Sequence, residues 1–253
     1  KIVANENGNL KQIFGWQTEA AGEEYTKFLQ AFLPELVQFI KKHDLQKRSY
    51  FHISDEPNIQ HLESYQSAKE IVGKFLKDFP MIDALSDFVF FEKGLVKNPI
   101  PATNHIQPFL DHQVPNLWTY YCCGQYKGVS NRFLNMPSAR NRILGFQLYK
   151  FDIVGFLHWG YNFYYSHHSK KKINPFLTTD ALLTFPSGDA FVVYPGENGP
   201  LDSIRLEVFY EALQDIRALQ LLESYVGKKQ VIEWLEQRLE KPNSLQEYPT
   251  DAK

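Results

Sequence analysis

Apolar positions along the chain alternate between short runs and stretches spaced three and four residues apart, a pattern that predicts an α/β fold. The first run, Ile13-Phe14-Gly15-Trp16, predicts a strand. From Glu23 to His43, Phe28, Phe32, Leu36, Phe39 and Ile40 recur at helical spacing, with Pro34 an expected kink or break. The β-branched and aromatic run Ser49 to Ile53 predicts a second strand, which leads directly into Ser54-Asp55-Glu56-Pro57-Asn58. A helix is expected from Leu62 to Leu76, and strands at Ile82 to Leu85, Leu117 to Cys122, Gly155 to Trp159 and Ala190 to Tyr194. Helices are expected from Ser138 to Asp152, Ser203 to Tyr225 and Lys228 to Leu239, with Gly227 as the stop between the last two. The segment from Lys241, with its Pro, Asn and Asp, reads as a frayed tail.

Strands alternating with helices over 253 residues predict a (β/α)8 TIM-type barrel. Only six or so strands are visible, so the pattern implies weak strands within Phe88 to His105 and first βα units upstream of Lys1. On this reading residues 1–240 form one catalytic barrel domain, the C-terminal part of a longer protein, and residues 241–253 a tail. No internal repeat or low-complexity linker divides the chain.

A net charge of −2 offers no field for holding nucleic acid, and Lys170, Lys171 and Lys172 read as a solvated loop. The two cysteines, Cys122 and Cys123, are adjacent, which argues against a disulfide framework and for packing roles. No apolar stretch is long enough to span a bilayer. With no disulfide and no visible signal peptide, the expectation leans towards a cytoplasmic protein, although the chain opens at Lys1 rather than Met. Aromatic residues make up 15% of the chain, enough to serve both a core and a sugar-stacking surface.

Active-site residues of (β/α) barrels project from the C-terminal ends of strands. That rule selects Asp55 and Glu56 after one strand, Trp118, Tyr120 and Tyr121 in another, Trp159, Tyr161 and Asn162 at a third, and Tyr194 at a fourth. Two carboxylates among Trp, Tyr and Asn form a carbohydrate-site composition. The competing reading makes Asp55 a helix cap with Pro57 in the first turn. A second carboxylate beside a first raises one pKa by repulsion, as the proton donor of a glycosidase requires. His158 reads as a packing histidine. No zinc, calcium or dinucleotide motif is present, so no metal or cofactor is expected.

Phe51-His52-Ile53-Ser54-Asp55-Glu56-Pro57 resembles the catalytic strand of the domain of unknown function 4091 family, which includes glycoside hydrolase family 123. Gly155 to Asn162, and Gly188 to Gly196 running into Ser203 to Glu207, match later blocks of that family. The resemblance implies a retaining β-N-acetylgalactosaminidase, or more broadly a β-N-acetylhexosaminidase, in which the substrate's own 2-acetamido group is the nucleophile. Glu56 would be the general acid/base, and Asp55 would orient the acetamido group. Trp118, Tyr120, Trp159, Tyr161, Asn162 and Tyr194 would line the pocket for a glycan ending in N-acetylhexosamine. Arg205 and Glu207 are expected to hold the strand–helix junction together. The alternatives are a conventional two-carboxylate glycosidase, with Glu19 or Glu92 as nucleophile, and a carbohydrate-binding barrel without catalysis.

Overall fold

A computed structural model describes residues 2–15 and 17–250. The chain divides into two compact units, residues 1–99 and 100–253.

The first unit opens with an antiparallel hairpin of β1 (Ile2–Glu6) and β2 (Asn9–Phe14). Its turn is Asn7-Gly8, both at positive φ, as a tight two-residue hairpin loop requires. The predicted strand therefore ends at Phe14, and Trp16 lies outside the described residues. Helix α1 (Glu23–Lys42) runs unbroken through Pro34, contrary to the expected break, although proline removes one helical N–H. Leu29, Leu33 and Ile40 on one face of α1 bury against Leu76 of α2 (Leu62–Leu76) and against Phe79, which holds the helix in place. Strand β3 (Ile82–Ala84) pairs with β4 (Asn98–Ile100), and short helix α3 (Val89–Glu92) lies between them in sequence. One strand thus does lie within Phe88 to His105. Tyr65, Leu85, Phe90 and Val96 form a second small core, with Ile53 packed against it.

The second unit contains α4 (Gln107–Asp111) and the parallel pair β5 (Trp118–Tyr121) and β6 (Gly155–His158), with α5 (Ala139–Lys150) between β5 and β6 in sequence. Strands β7 (Val193–Gly196) and β8 (Gly199–Asp202) form a hairpin ahead of α6 (Ile204–Val226) and α7 (Lys228–Glu236). Ser203 caps α6 with its side chain, and Gly227 ends it at φ 81°. Helices α5 and α6 approach closely at Gly145, where a Cβ would sit 2.2 Å from the Ala212 carbonyl oxygen.

The stretch from Lys241 packs rather than frays. Asn243 and Leu245 are buried, the Ser244 carbonyl accepts from Gln147 Nε2 (2.8 Å), and the Tyr248 hydroxyl accepts from Arg140 Nε (3.1 Å). Lys150 Nζ donates to the Asn243 carbonyl and to Glu236 of α7, both at 2.6 Å.

The expected (β/α)8 barrel is not found. Among the described residues the strands form four separate two-stranded sheets, two antiparallel and two parallel, with no closed barrel. The run Ser49 to Ile53 shows one cause. Only Phe51 makes a bridge, to Met81, while the Ile53 and Ser54 amides turn to the Asp83 carboxylate instead of a neighbouring strand. Pro99 inside β4 and Pro101 beyond it also lack the N–H groups that a longer ladder would use.

Candidate functional site

In the first unit, the segment Ser54 to Asn58 leaves the Phe51 bridge and enters α2 through a 3-10 turn, Ile59–His61. Asn58 caps that turn: its Oδ1 accepts from the Gln60 amide at 3.0 Å, and its own amide donates to His61 Nδ1 at 3.2 Å. Capping therefore falls to Asn58 and not to Asp55. Asp55 and Glu56 both project as exposed carboxylates, with Pro57 buried behind them.

The turn is fixed from β3. Asp83, almost fully buried, accepts the Ile53 amide at 2.8 Å and the Ser54 amide at 3.1 Å on Oδ1, and the Tyr65 hydroxyl at 2.7 Å on Oδ2. The Glu56 amide donates to the Ala84 carbonyl at 2.9 Å, and Glu56 adopts a left-handed φ of 46°. Burial pushes the Asp83 carboxyl above its ordinary range, while the Tyr65 hydroxyl, the two amides and His52 favour its charged form. Burial, together with Asp83, raises the Tyr65 hydroxyl, which stays protonated as the donor. Composition alone did not single out Asp83 or Tyr65. The available signal was one carboxylate inside the apolar run Ile82 to Leu85, where a charge needs a partner.

The second unit holds the aromatic residues. Trp118 begins β5 and lies against Gly155, where a Cβ would fall 2.1 Å from the indole, so its ring occupies the space a side chain would take. Tyr120 is 6% exposed. Tyr121 is fully buried, with its hydroxyl donating to Asn141 Oδ1 at 3.2 Å and Arg132 over its ring at 5.1 Å. Trp159 is half-buried, packed against Phe185 (4.9 Å) and Phe163 (5.8 Å), and its Nε1 lies 3.2 Å from each oxygen of Asp189. Tyr161 and Asn162 follow the end of β6 and are exposed, with Asn162 bridged to Phe191. Tyr194 lies in β7 between the rings of Phe176 (5.2 Å) and Phe191 (5.3 Å). The structure therefore groups Trp159, Tyr161, Asn162 and Tyr194 around the Asp189 to Phe191 segment.

Beneath these residues lies a buried charge cluster that composition did not reveal. Asp189 pairs with Arg132 (3.4 Å), and both side chains are at most 1% exposed. Arg132 Nη2 also donates to the Trp159 and Asp189 carbonyls, at 2.9 and 2.8 Å. Arg205, in the first turn of α6, donates to the Gly188 carbonyl and, at 2.8 Å, to that of Phe191, so it does tie the strand–helix junction. Burial raises Asp189 and lowers Arg205. His158 is pushed down to about 3 by burial and then by Arg132, so it is a neutral interior group.

Glu92, one alternative nucleophile, ends helix α3, and Glu19, the other, is an exposed residue in a turn between β2 and α1. Among the described residues no group of three or more His, Cys, Asp or Glu is placed to hold a metal ion.

No curated protein matches the chain. Among solved structures, a family 123 glycoside hydrolase from Clostridium perfringens, described for glycolipid glycan hydrolysis, is similar with a TM-score of 0.62 at 20% identity. That similarity covers 88% of this chain and 40% of the other, so the chain spans about 40% of that enzyme's length. At this identity the likeness concerns the fold. The family model of the glycoside hydrolase 123 catalytic domain matches residues 1–222, most of the chain, with the Asp55-Glu56 turn inside the matched span. The chain belongs to the glycoside hydrolase 123 catalytic-domain family.

Proposed function

We propose that the chain carries the catalytic carboxylates of a retaining β-N-acetylhexosaminidase that uses the substrate's 2-acetamido group as nucleophile. The observation that carries this reading is the pair of adjacent, exposed carboxylates, Asp55 and Glu56, on a turn whose capping is done by another residue. A conventional retaining pair flanks the scissile bond with carboxyl groups about 5–5.5 Å apart, and substrate-assisted enzymes are the exception to that rule. Neighbours in sequence suit the exception. One serves the leaving oxygen and the other serves the acetamido group.

In the first step Glu56 protonates the glycosidic oxygen as its bond to the anomeric carbon breaks. The acetamido oxygen closes onto that carbon, and Asp55 accepts a hydrogen bond from the acetamido N–H as positive charge develops on the cyclic oxazolinium. Glu56, now a carboxylate, takes a proton from water, which opens the ring and returns the β configuration. Family membership supports the glycosidase class, and the Clostridium perfringens neighbour supports a glycan substrate. The galacto preference rests on the motif resemblance. Within the second unit, Tyr161 and Asn162 are the exposed candidates for contact with sugar hydroxyls. Trp159 and Tyr194, grouped with them around the Asp189 to Phe191 segment, would act chiefly by shaping the surface beneath them, whereas Trp118 and Tyr120 lie in β5, outside that group.

Matched aryl β-glycosides bearing either a 2-acetamido or a 2-hydroxyl group test the mechanism. Turnover of the acetamido sugars alone, with tight inhibition by a thiazoline mimic of the cyclic intermediate, is expected. Glu56→Gln should cut turnover of poor leaving groups by about two orders of magnitude or more. Efficient cleavage of 2-hydroxyl sugars without thiazoline inhibition would sink the proposal.

A further inference from the structure

We infer that Asp83, backed by Tyr65, is a positioning residue for the proton donor: its carboxylate sets the turn that presents Glu56 to the glycosidic oxygen. The inference deepens the proposed function and rests on Glu56 being the acid/base.

Three hydrogen bonds tie Ile53 to Glu56 to β3, and a fourth, from Tyr65 of α2, holds the Asp83 carboxylate that takes two of them. Consecutive amides of an extended strand point to opposite sides, so a neighbouring strand cannot accept both on one atom. Here the amides of Ile53 and Ser54 reach the same oxygen, Asp83 Oδ1, at 2.8 and 3.1 Å. The chain must bend to do this, and the bend comes just before the acid pair. The Tyr65 hydroxyl holds the other oxygen at 2.7 Å, so the carboxylate cannot rotate without losing three partners. Tyr65 is itself locked edge-on against Phe90, at 5.2 Å. One residue beyond Asp83, the Ala84 carbonyl takes the Glu56 amide at 2.9 Å.

The bend has a consequence at Glu56. In a continuing strand, Asp55 and Glu56 would point to opposite faces. Glu56 instead adopts φ 46°, a region that a residue other than glycine keeps only where its surroundings over-determine it. The bonds from Asp83 and Ala84 supply that over-determination. Burying a carboxylate for packing alone is costly, and an apolar residue would fill the same space. What an apolar residue cannot do is accept two consecutive amides.

The full chain carrying Asp83→Leu, Asp83→Asn or Tyr65→Phe tests this, with Glu56→Gln as reference. Leucine is close to aspartate in size but has no acceptor, whereas asparagine keeps an oxygen able to take both amides. Each is assayed on aryl 2-acetamido-β-glycosides graded from acidic to weakly acidic phenols. A misplaced proton donor hurts poor leaving groups most, whereas a merely less stable protein loses the same fraction on all of them. Asp83→Leu should lower kcat about tenfold or more on the most basic phenol and less than about twofold on the most acidic, with KM little changed. Asp83→Asn and Tyr65→Phe should show weaker gradients of the same sense. Amide exchange should speed up at Ile53, Ser54 and Glu56 in Asp83→Leu, while α2 keeps its protection. A uniform loss across leaving groups in Asp83→Leu, or unchanged turnover there, overturns the inference. If Asp83→Leu does not fold, Tyr65→Phe decides by the same readouts. A flat loss in Glu56→Gln overturns the acid assignment and this inference together. A graded loss there with a flat loss in Asp83→Leu overturns this inference alone.

Discussion

Trp159 shows how one side chain divides between packing and chemistry. As a strand-end aromatic it is a natural sugar platform, yet its N–H points inward to the buried Asp189 and its ring packs against Phe185 and Phe163. Trp159→Phe keeps most of the ring contacts and removes the donor. It should therefore lower stability by about 1–3 kcal/mol, the usual cost of depriving a buried acceptor of its partner. Denaturant unfolding measures this, and an unchanged midpoint would mean that Arg132 alone satisfies Asp189. Some of this was legible in the sequence. Asp55 and Glu56 stood out because they directly follow an apolar run in a chain whose other apolar runs end in Trp, Tyr and Asn, although a helix cap was an equal reading of the acids alone. Asp83 and Asp189 did not, because a single acid in an apolar run declares its partner only when the chain has folded. Trp118 was selected by its strand, but it begins β5, away from the end where such rings meet substrate.

The elements were read unevenly, and the reason is where their hydrogen bonds come from. Helices α1, α2, α5, α6 and α7 match their expected positions closely because their bonds and apolar faces are local in sequence. Strands depend on partners far along the chain. The expected strand at Ala190 to Tyr194 became β7 from Val193, with Phe191 giving only an isolated bridge to Asn162. The run Ser49 to Ile53 kept its apolar character but gave its amides to a side chain. Gly145 carries a prediction at this scale. On an exposed helix Gly→Ala stabilises by about 1 kcal/mol. Here the added methyl would meet the Ala212 backbone of α6, so Gly145→Ala should instead destabilise by about 1–3 kcal/mol as the two helices are forced apart. A raised melting temperature would show that the helices separate at no cost.

At the scale of the whole molecule, the titration of interior groups sets how the fold responds to acid. His158 has its folded pKa lowered to about 3, by burial and by the charges of Arg132 and Arg205, against about 6.5 when unfolded. Above pH about 6.5 both states are neutral and its contribution is complete. As pH falls from there towards 3, the unfolded chain takes up a proton that the folded chain refuses, and stability is lost by up to about 1.4 kcal/mol per pH unit. Asp83 and Asp189, raised by burial, work in the opposite sense: their contribution is present at low pH and is lost as pH rises through their folded values. His158→Gln should therefore resist acid better than the parent between pH about 6.5 and 4, read as a melting temperature that falls less steeply. Parallel curves would show that the fold leaves His158 free to charge. The packed segment after Lys241 bears on where the chain can be cut. The family match ends at residue 222, whereas the buried Gln147 and the half-buried Arg140 and Lys150 of α5 find their partners at Glu236, Asn243, Ser244 and Tyr248. A chain trimmed to the matched span would thus leave three polar side chains of α5 without these partners.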